Sequence, residues 1–158
     1  MTENPQITAE ELRARFAEGQ KPGRDFVVVD LRGNDFTGGT VRGSLNIPIQ
    51  SLAYAVPTLF SLTLSANVSD VIFFCGGTFS FLFLRPGYLV GWILICAGSS
   101  CGRGPKGATL FSDYARQQGV SSPRGVVLTG GIKGWVASGE EYVDLMDGYE
   151  SQTWGRST

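Results

Sequence analysis

Histidine is absent from this chain. Its absence removes His-ligated zinc, a His general base and every Ser-His-Asp or Cys-His mechanism. Chemistry is left to cysteine, carboxylates, hydroxyls, arginine and lysine. Charge is also scarce: charged residues make up 17% of the 158 positions, and the net charge is −1. No basic field points to nucleic acid, and no acidic tail stands out. The three cysteines, Cys75, Cys96 and Cys101, do not form a secreted disulfide framework. The N-terminal MTENPQITAEEL is polar and acidic, unlike a signal peptide. The expected setting is a reducing compartment with free thiols, the cytoplasm, with the nucleus left open. No internal repeat or low-complexity segment occurs.

What is present suits a globular α/β domain. The hydrophobic fraction of 42% supports a real core, and the length suits one domain. Residues 26–30 (FVVVD), 44–48, 71–74 and 125–128 read as strands. The first is a continuous β-branched run, as in a strand buried on both faces of a parallel sheet. Residues 7–18 read as a helix with a Thr8–Glu11 capping box. Residues 50–64 have helical spacing, with Pro57 starting or kinking the helix. Residues 105–118 form the clearest helix, begun by Pro105 and stopped by Gly119. Residues 132–137 read as a helical turn, and the tail from Met146 has little periodicity. Strands alternating with helices predict a largely parallel sheet.

Residues 71–103 carry the chemistry. They read VIFFCGGTFSFLFLRPGYLVGWILICAGSSCGR. Without the 22 residues 77–98, the flanks join as VIFFC-GSSCG-R in a chain of 136 residues. Cys75 then ends a buried strand, at the edge where open α/β sheets hold their active sites. Gly76, Ser99, Ser100, Cys101 and Gly102 are small, so their backbone N–H groups can turn inward as an anion-binding nest. The following helix points its positive end at the same spot, and Arg103 adds a fork that matches a tetrahedral oxyanion. A thiol in such surroundings favours the thiolate, which is the nucleophile. Such a loop binds phosphate or arsenate and attacks its central atom. No carboxylate is singled out as general acid; Asp35 is the one considered.

The flanks VVVDLR, GGTVRGSLNIP, the Cys-x5-Arg loop and LTGGIKGWVASG resemble the rhodanese-like superfamily. The five-residue loop is similar to its cell-division-cycle dual-specificity phosphatase branch, which includes fungal arsenate reductases. The resemblance implies a rhodanese-like α/β fold, a mostly parallel five-stranded sheet flanked by helices. It spans residues 5–148 as one domain interrupted at 77–98, with 149–158 as a tail. It also implies Cys75 as catalytic nucleophile and Arg103 as oxyanion-binding arginine, with glutathione and glutaredoxin as reductants if arsenate is the substrate. No bound cofactor or metal is expected. The branch commonly carries histidine before the cysteine, where this chain has Phe74, and Gly-His at the second motif, where it has Gly39-Thr40. Asp30 and Arg32 match the family's strand-end pair, expected to be a structural salt bridge, and Trp135 its core tryptophan.

Residues 77–98 admit three readings. A retained intron of 22 codons leaves the flanking site complete. A membrane segment over 79–97 is interrupted by Arg85-Pro86-Gly87, which argues against it. A replacement strand over 92–96 would make Cys96 the alternative nucleophile, with one residue too many before Arg103. The expected function is therefore arsenate reduction or phosphate-ester hydrolysis on a small oxyanion or a phosphoprotein, impaired by the block. Cys101 is a candidate resolving thiol. Sulfur transfer and a non-catalytic binding module remain as alternatives. Nucleic acid is not an expected partner, and the oligomeric state stays open.

Overall fold

The computed structural model describes residues 3–76 and 102–155. Five strands form the main sheet: β1 (Gln6–Ile7), β2 (Val27–Asp30), β4 (Leu45–Asn46), β5 (Asp70–Phe74) and β6 (Arg124–Leu128). Their order is β1-β6-β5-β2-β4, with every pair parallel. The central strands β2 and β5 are buried at every residue, as their unbroken apolar runs predict. A second, two-stranded antiparallel sheet joins β3 (Thr40–Val41) to β7 (Met146–Asp147). The strands β1, β3 and β7 have two residues each, too short for a period-2 pattern to show.

Helices cover both faces. The helices α2 (Ile49–Ser65) and α3 (Arg103–Gln117) pack on one side. On the other lie α1 (Ala9–Ala17), α4 (Gly131–Ala137) and α5 (Glu140–Val143). Alternation along β5 sorts its side chains between them. Val71 and Phe73 join the core under α2 and α3, while Ile72 and Phe74 join the opposite core. Cys75 continues the alternation and packs toward the α3 side. Phe74 is 1% exposed and shares its core with Trp135, whose indole N–H donates to the Tyr142 carbonyl at 2.7 Å. Trp135 is thus a packing residue, as expected.

Local chemistry explains the helix ends. Thr8 accepts from the Glu11 N–H and Glu11 reaches back to the Thr8 N–H, completing the capping box. Helix α2 begins at Ile49 and runs through Pro57, which neither starts nor ends it. Pro57 and Ala53, whose carbonyl loses its partner, are both exposed to solvent. Helix α3 starts at Arg103, before Pro105; the ring sits in the first turn, where no intrahelical N–H is needed. No helix among the described residues is long and apolar enough to cross a membrane.

Candidate active site

The carboxyl edge of the sheet brings the cysteine and the arginine together. Cys75 follows β5 directly, and the N-terminus of α4 fixes it there. The N–H groups of Ile132 and Lys133 donate to the carbonyls of Cys75 and Gly76 at 3.0 and 3.3 Å. The described chain stops at Gly76 and resumes at Gly102 beside the same point. A Cβ placed on Gly102 would lie 3.9 Å from the Cys75 Sγ, and one on Gly76 would lie 3.6 Å from an Arg103 terminal nitrogen. Arg103 is the first residue of the 15-residue helix α3, capped by the extended Gly102. The thiol, the guanidinium and the positive helix end therefore converge.

Arg103 is held by a partner. Its two terminal nitrogens donate to the two carboxylate oxygens of Asp35, at 2.7 and 2.5 Å. The Asp35 Oδ1 also accepts from the Gly33 N–H at 3.1 Å. The hydrogen bond from Arg103, outweighing burial, lowers the Asp35 carboxyl to about 2. Reciprocally, the Arg103 guanidinium is pushed above its ordinary value, first by the hydrogen bond to Asp35, with Cys75 contributing further. A carboxyl held this low is ionised at neutral pH and has no proton to give while it stays paired. Asp35, considered above as a general acid, is the anionic partner of Arg103 in this arrangement.

The loop that carries Asp35 is anchored from below. Arg32 is 1% exposed and Asp30 is fully buried. The Arg32 guanidinium donates to Asp30 at 2.7 Å and to the carbonyls of Thr37 and Gly39 at 3.0 and 2.6 Å. Thr40 also donates to the Asp30 carboxylate, at 2.8 Å. The Arg32 guanidinium also lies 4.8 Å from the Phe36 ring centre. This pair fixes loop 33–39, the structural role expected for it.

A cleft of about 660 Å³ opens over the site, lined among others by Arg32, Asp35, Cys75, Arg103, Lys133 and Trp154. A depression of about 560 Å³ at the far end of α3, beside Arg116 and Arg124, contains no described thiol. The chemistry therefore assigns the first cleft. Of the residues expected at the site, Cys75, Gly76, Gly102 and Arg103 meet there. Ser99, Ser100, Cys101, the alternative nucleophile Cys96 and the block 77–98 lie outside the described residues. Trp154 and Lys133 were not foreseen. Trp154 belongs to the 3₁₀ turn Ser151–Trp154, in the tail that shows no period.

No family model matches the chain, and no curated protein matches it. Solved structures do. A yeast protein tyrosine phosphatase of the rhodanese family, Ygr203w, is 23% identical, with a TM-score of 0.67 over 98% of this chain and 99% of that one. A crystal structure of the Saccharomyces cerevisiae protein, described as a homolog of single-domain rhodanese and the Cdc25 phosphatase catalytic domain, gives 24%, 0.66, 96% and 92%. The As-Sb reductase of Leishmania major is 24% identical, with a TM-score of 0.59 over 90% of this chain and 84% of that one. With its five parallel strands flanked by helices and these neighbours, the chain has the rhodanese-like fold.

Proposed function

We propose that the chain performs thiol-based oxyanion chemistry, with phosphate-monoester hydrolysis as its best-supported form. Cys75 is the nucleophile and Arg103 holds the oxygens of the oxyanion. One observation carries this reading: Cys75 and Arg103 converge at the N-terminus of α3, at the carboxyl edge of a parallel sheet. In the first step the Cys75 thiolate attacks phosphorus and the ester oxygen leaves, giving a phosphocysteine. Water then attacks phosphorus and the thiolate departs with phosphate as product. The Arg103 fork and the helix end stabilise the charge on the equatorial oxygens through both steps. The N–H groups of residues 99–103 complete the oxyanion cradle in this reading.

Arsenate reduction is the second reading, favoured by the likeness to the Leishmania major As-Sb reductase. There Cys75 displaces an oxygen of arsenate as water, forming an S–As bond; glutathione attacks the Cys75 sulfur, the S–As electron pair leaves with arsenic as arsenite, and the resulting Cys75–glutathione mixed disulfide is reduced by a further thiol. Cys101 is the candidate resolving thiol. Turnover of p-nitrophenyl phosphate, of arsenate with glutathione, and of thiosulfate separates these readings from sulfur transfer. Phosphate release that disappears in Cys75→Ser supports the first. Thiosulfate turnover alone, or none of the three, rejects it.

A further inference from the structure

A cluster of arginines lies at the amino edge of the sheet, opposite Cys75. Arg124 starts β6 and pairs in register with Asp70, the first residue of β5. Cys75 lies beyond the far end of β5, about 16 Å away at the rise of an extended strand. Asp70 is 7% exposed and is shared by two guanidiniums. Arg15 donates a terminal nitrogen to it at 2.7 Å, and Arg124 donates its Nε at 2.9 Å. Burial raises the Asp70 carboxyl, but the bonds from Arg15 and Arg124 together carry it below its ordinary value, so it stays ionised at neutral pH. The contact with Asp70 anchors Arg124 without using the two terminal nitrogens of its fork. Arg116 lines the same depression, and its ion pair with Asp113, at 2.7 Å, is open to solvent and therefore weak. Ser112 joins them: its Oγ accepts from the Gly125 N–H at 2.9 Å, which leaves its O–H to donate. A helix C-terminus ordinarily repels an anion, but the last carbonyls of α3 are spent. That of Ala115 accepts from the Gln118 and Val120 N–H groups, and that of Arg116 from Gly119.

We propose that this depression is a second anion site, separate from Cys75, which takes the phosphate group of a phosphate monoester. The forks of Arg116 and Arg124 and the Ser112 hydroxyl hold the phosphate oxygens. The organic body of the ester rests on Ala115, Val120 and Pro123, the apolar lining of the depression. Phosphate suits this donor set better than a carboxylate does. Its three acceptor oxygens and near-double charge can engage two planar forks and a hydroxyl, whereas a carboxylate is satisfied by one fork. A free phosphate ester and a phosphorylated side chain of a protein share this chemistry. The site does not depend on the reaction proposed for Cys75.

The test uses the ¹⁵N-labelled 158-residue protein carrying Cys75→Ser, so that the probes are not turned over. The amide signals of Val120 and Gly125 report the depression, and those of Ile132 and Lys133 report the Cys75 edge. The probes are glucose 6-phosphate and an otherwise uncharged phosphoserine peptide, with glucose and the unphosphorylated peptide as controls. The expected result is a saturable shift of Val120 and Gly125 with a phosphorylated probe, with a Kd of about 1 mM, and none with its control. Saturation by the sugar phosphate assigns the site to free esters, and saturation by the peptide alone assigns it to phosphorylated proteins. Arg116→Gln and Arg124→Gln should each weaken binding about fivefold. Arg116 is exposed, so its variant decides the question even where Arg124→Gln fails to fold. Shifts confined to Ile132 and Lys133, no saturable shift with either probe, or binding unchanged in Arg116→Gln would overturn the second site. None of these outcomes bears on Cys75 as nucleophile.

Discussion

Asp35 and Arg103, 68 positions apart in sequence, face each other across the cleft in a two-point ion pair. The same fork is the one proposed to hold an oxyanion, so the ligand has to exchange with the carboxylate. The pair is partly open to solvent, with side-chain exposures of 32% for Arg103 and 48% for Asp35. Solvent screening limits its worth to about 1 kcal/mol. Asp35→Asn should then tighten tungstate binding by about fivefold in calorimetry. Unchanged or weaker binding would show that the carboxylate does not compete.

The same pair sets a pH expectation. The Asp35 carboxyl sits at about 2 when folded, against an ordinary 3.8. A lowered carboxyl contributes stability above its ordinary value, and that contribution is lost as the pH falls through about 2. Wild type and Asp35→Asn should therefore have parallel melting curves from about pH 5 to 8. Their difference should shrink only below about pH 4. A difference that grows on acidification would reverse the sign of the pairing.

The buried Asp30–Arg32 pair should matter far more to stability. Arg32→Ala leaves the fully buried Asp30 without its main donor and frees loop 33–39. The expected loss is about 3–5 kcal/mol in urea unfolding. Arg32→Lys should recover little of it, because several donors of the planar fork are used. Full recovery by lysine would reduce the role to charge alone.

Gly125 and Gly107 test the seats of α3 on the sheet. A Cβ on Gly125 would fall 2.4 Å from the Ala108 carbonyl oxygen, whereas one on Gly107 would first meet the Leu31 Cδ1 at 2.6 Å. Backbone yields less readily than the end of a side chain. Gly125→Ala should cost about 3 kcal/mol and Gly107→Ala about 1 kcal/mol in the same denaturation experiment. The reverse order would place the tighter contact on the sheet side of Leu31.

Residues 77–98 give a prediction independent of geometry. An apolar block with the single charge Arg85 carries aggregation risk when it is translated. The 136-residue chain should be recovered in the soluble fraction in higher yield than the 158-residue chain, with higher phosphatase turnover. Equal yield and equal turnover would show that the block is tolerated. Sequencing the transcript tests the intron reading; a main message that retains all 22 codons contradicts it.

The sheet was legible where burial made runs of residues speak. FVVVD and VIFF marked β2 and β5, and the Thr8–Glu11 box marked α1. Cys75 and Arg103 were legible because strand-end cysteine, small residues and helix start are local signals. The Asp35–Arg103 pair was not, because it is a tertiary contact between a loop and the start of α3 with no periodic trace. Trp154 was hidden for a similar reason. Its place depends on β7 pairing with β3, two strands of two residues each, which bring the tail back to Gly38. Pro57 was expected to start or kink a helix; it lies inside α2, where an exposed face leaves the orphaned carbonyl to water.

The central claim is that Cys75 attacks the oxyanion in the protein as translated. Acid quenching of the 158-residue protein during turnover of p-nitrophenyl phosphate, followed by peptide mass spectrometry, tests it most directly. One phosphoryl group on the peptide containing Cys75, absent in Cys75→Ser, is the predicted result. A phosphoryl group on Cys96 instead, or turnover that persists in Cys75→Ser, would contradict it.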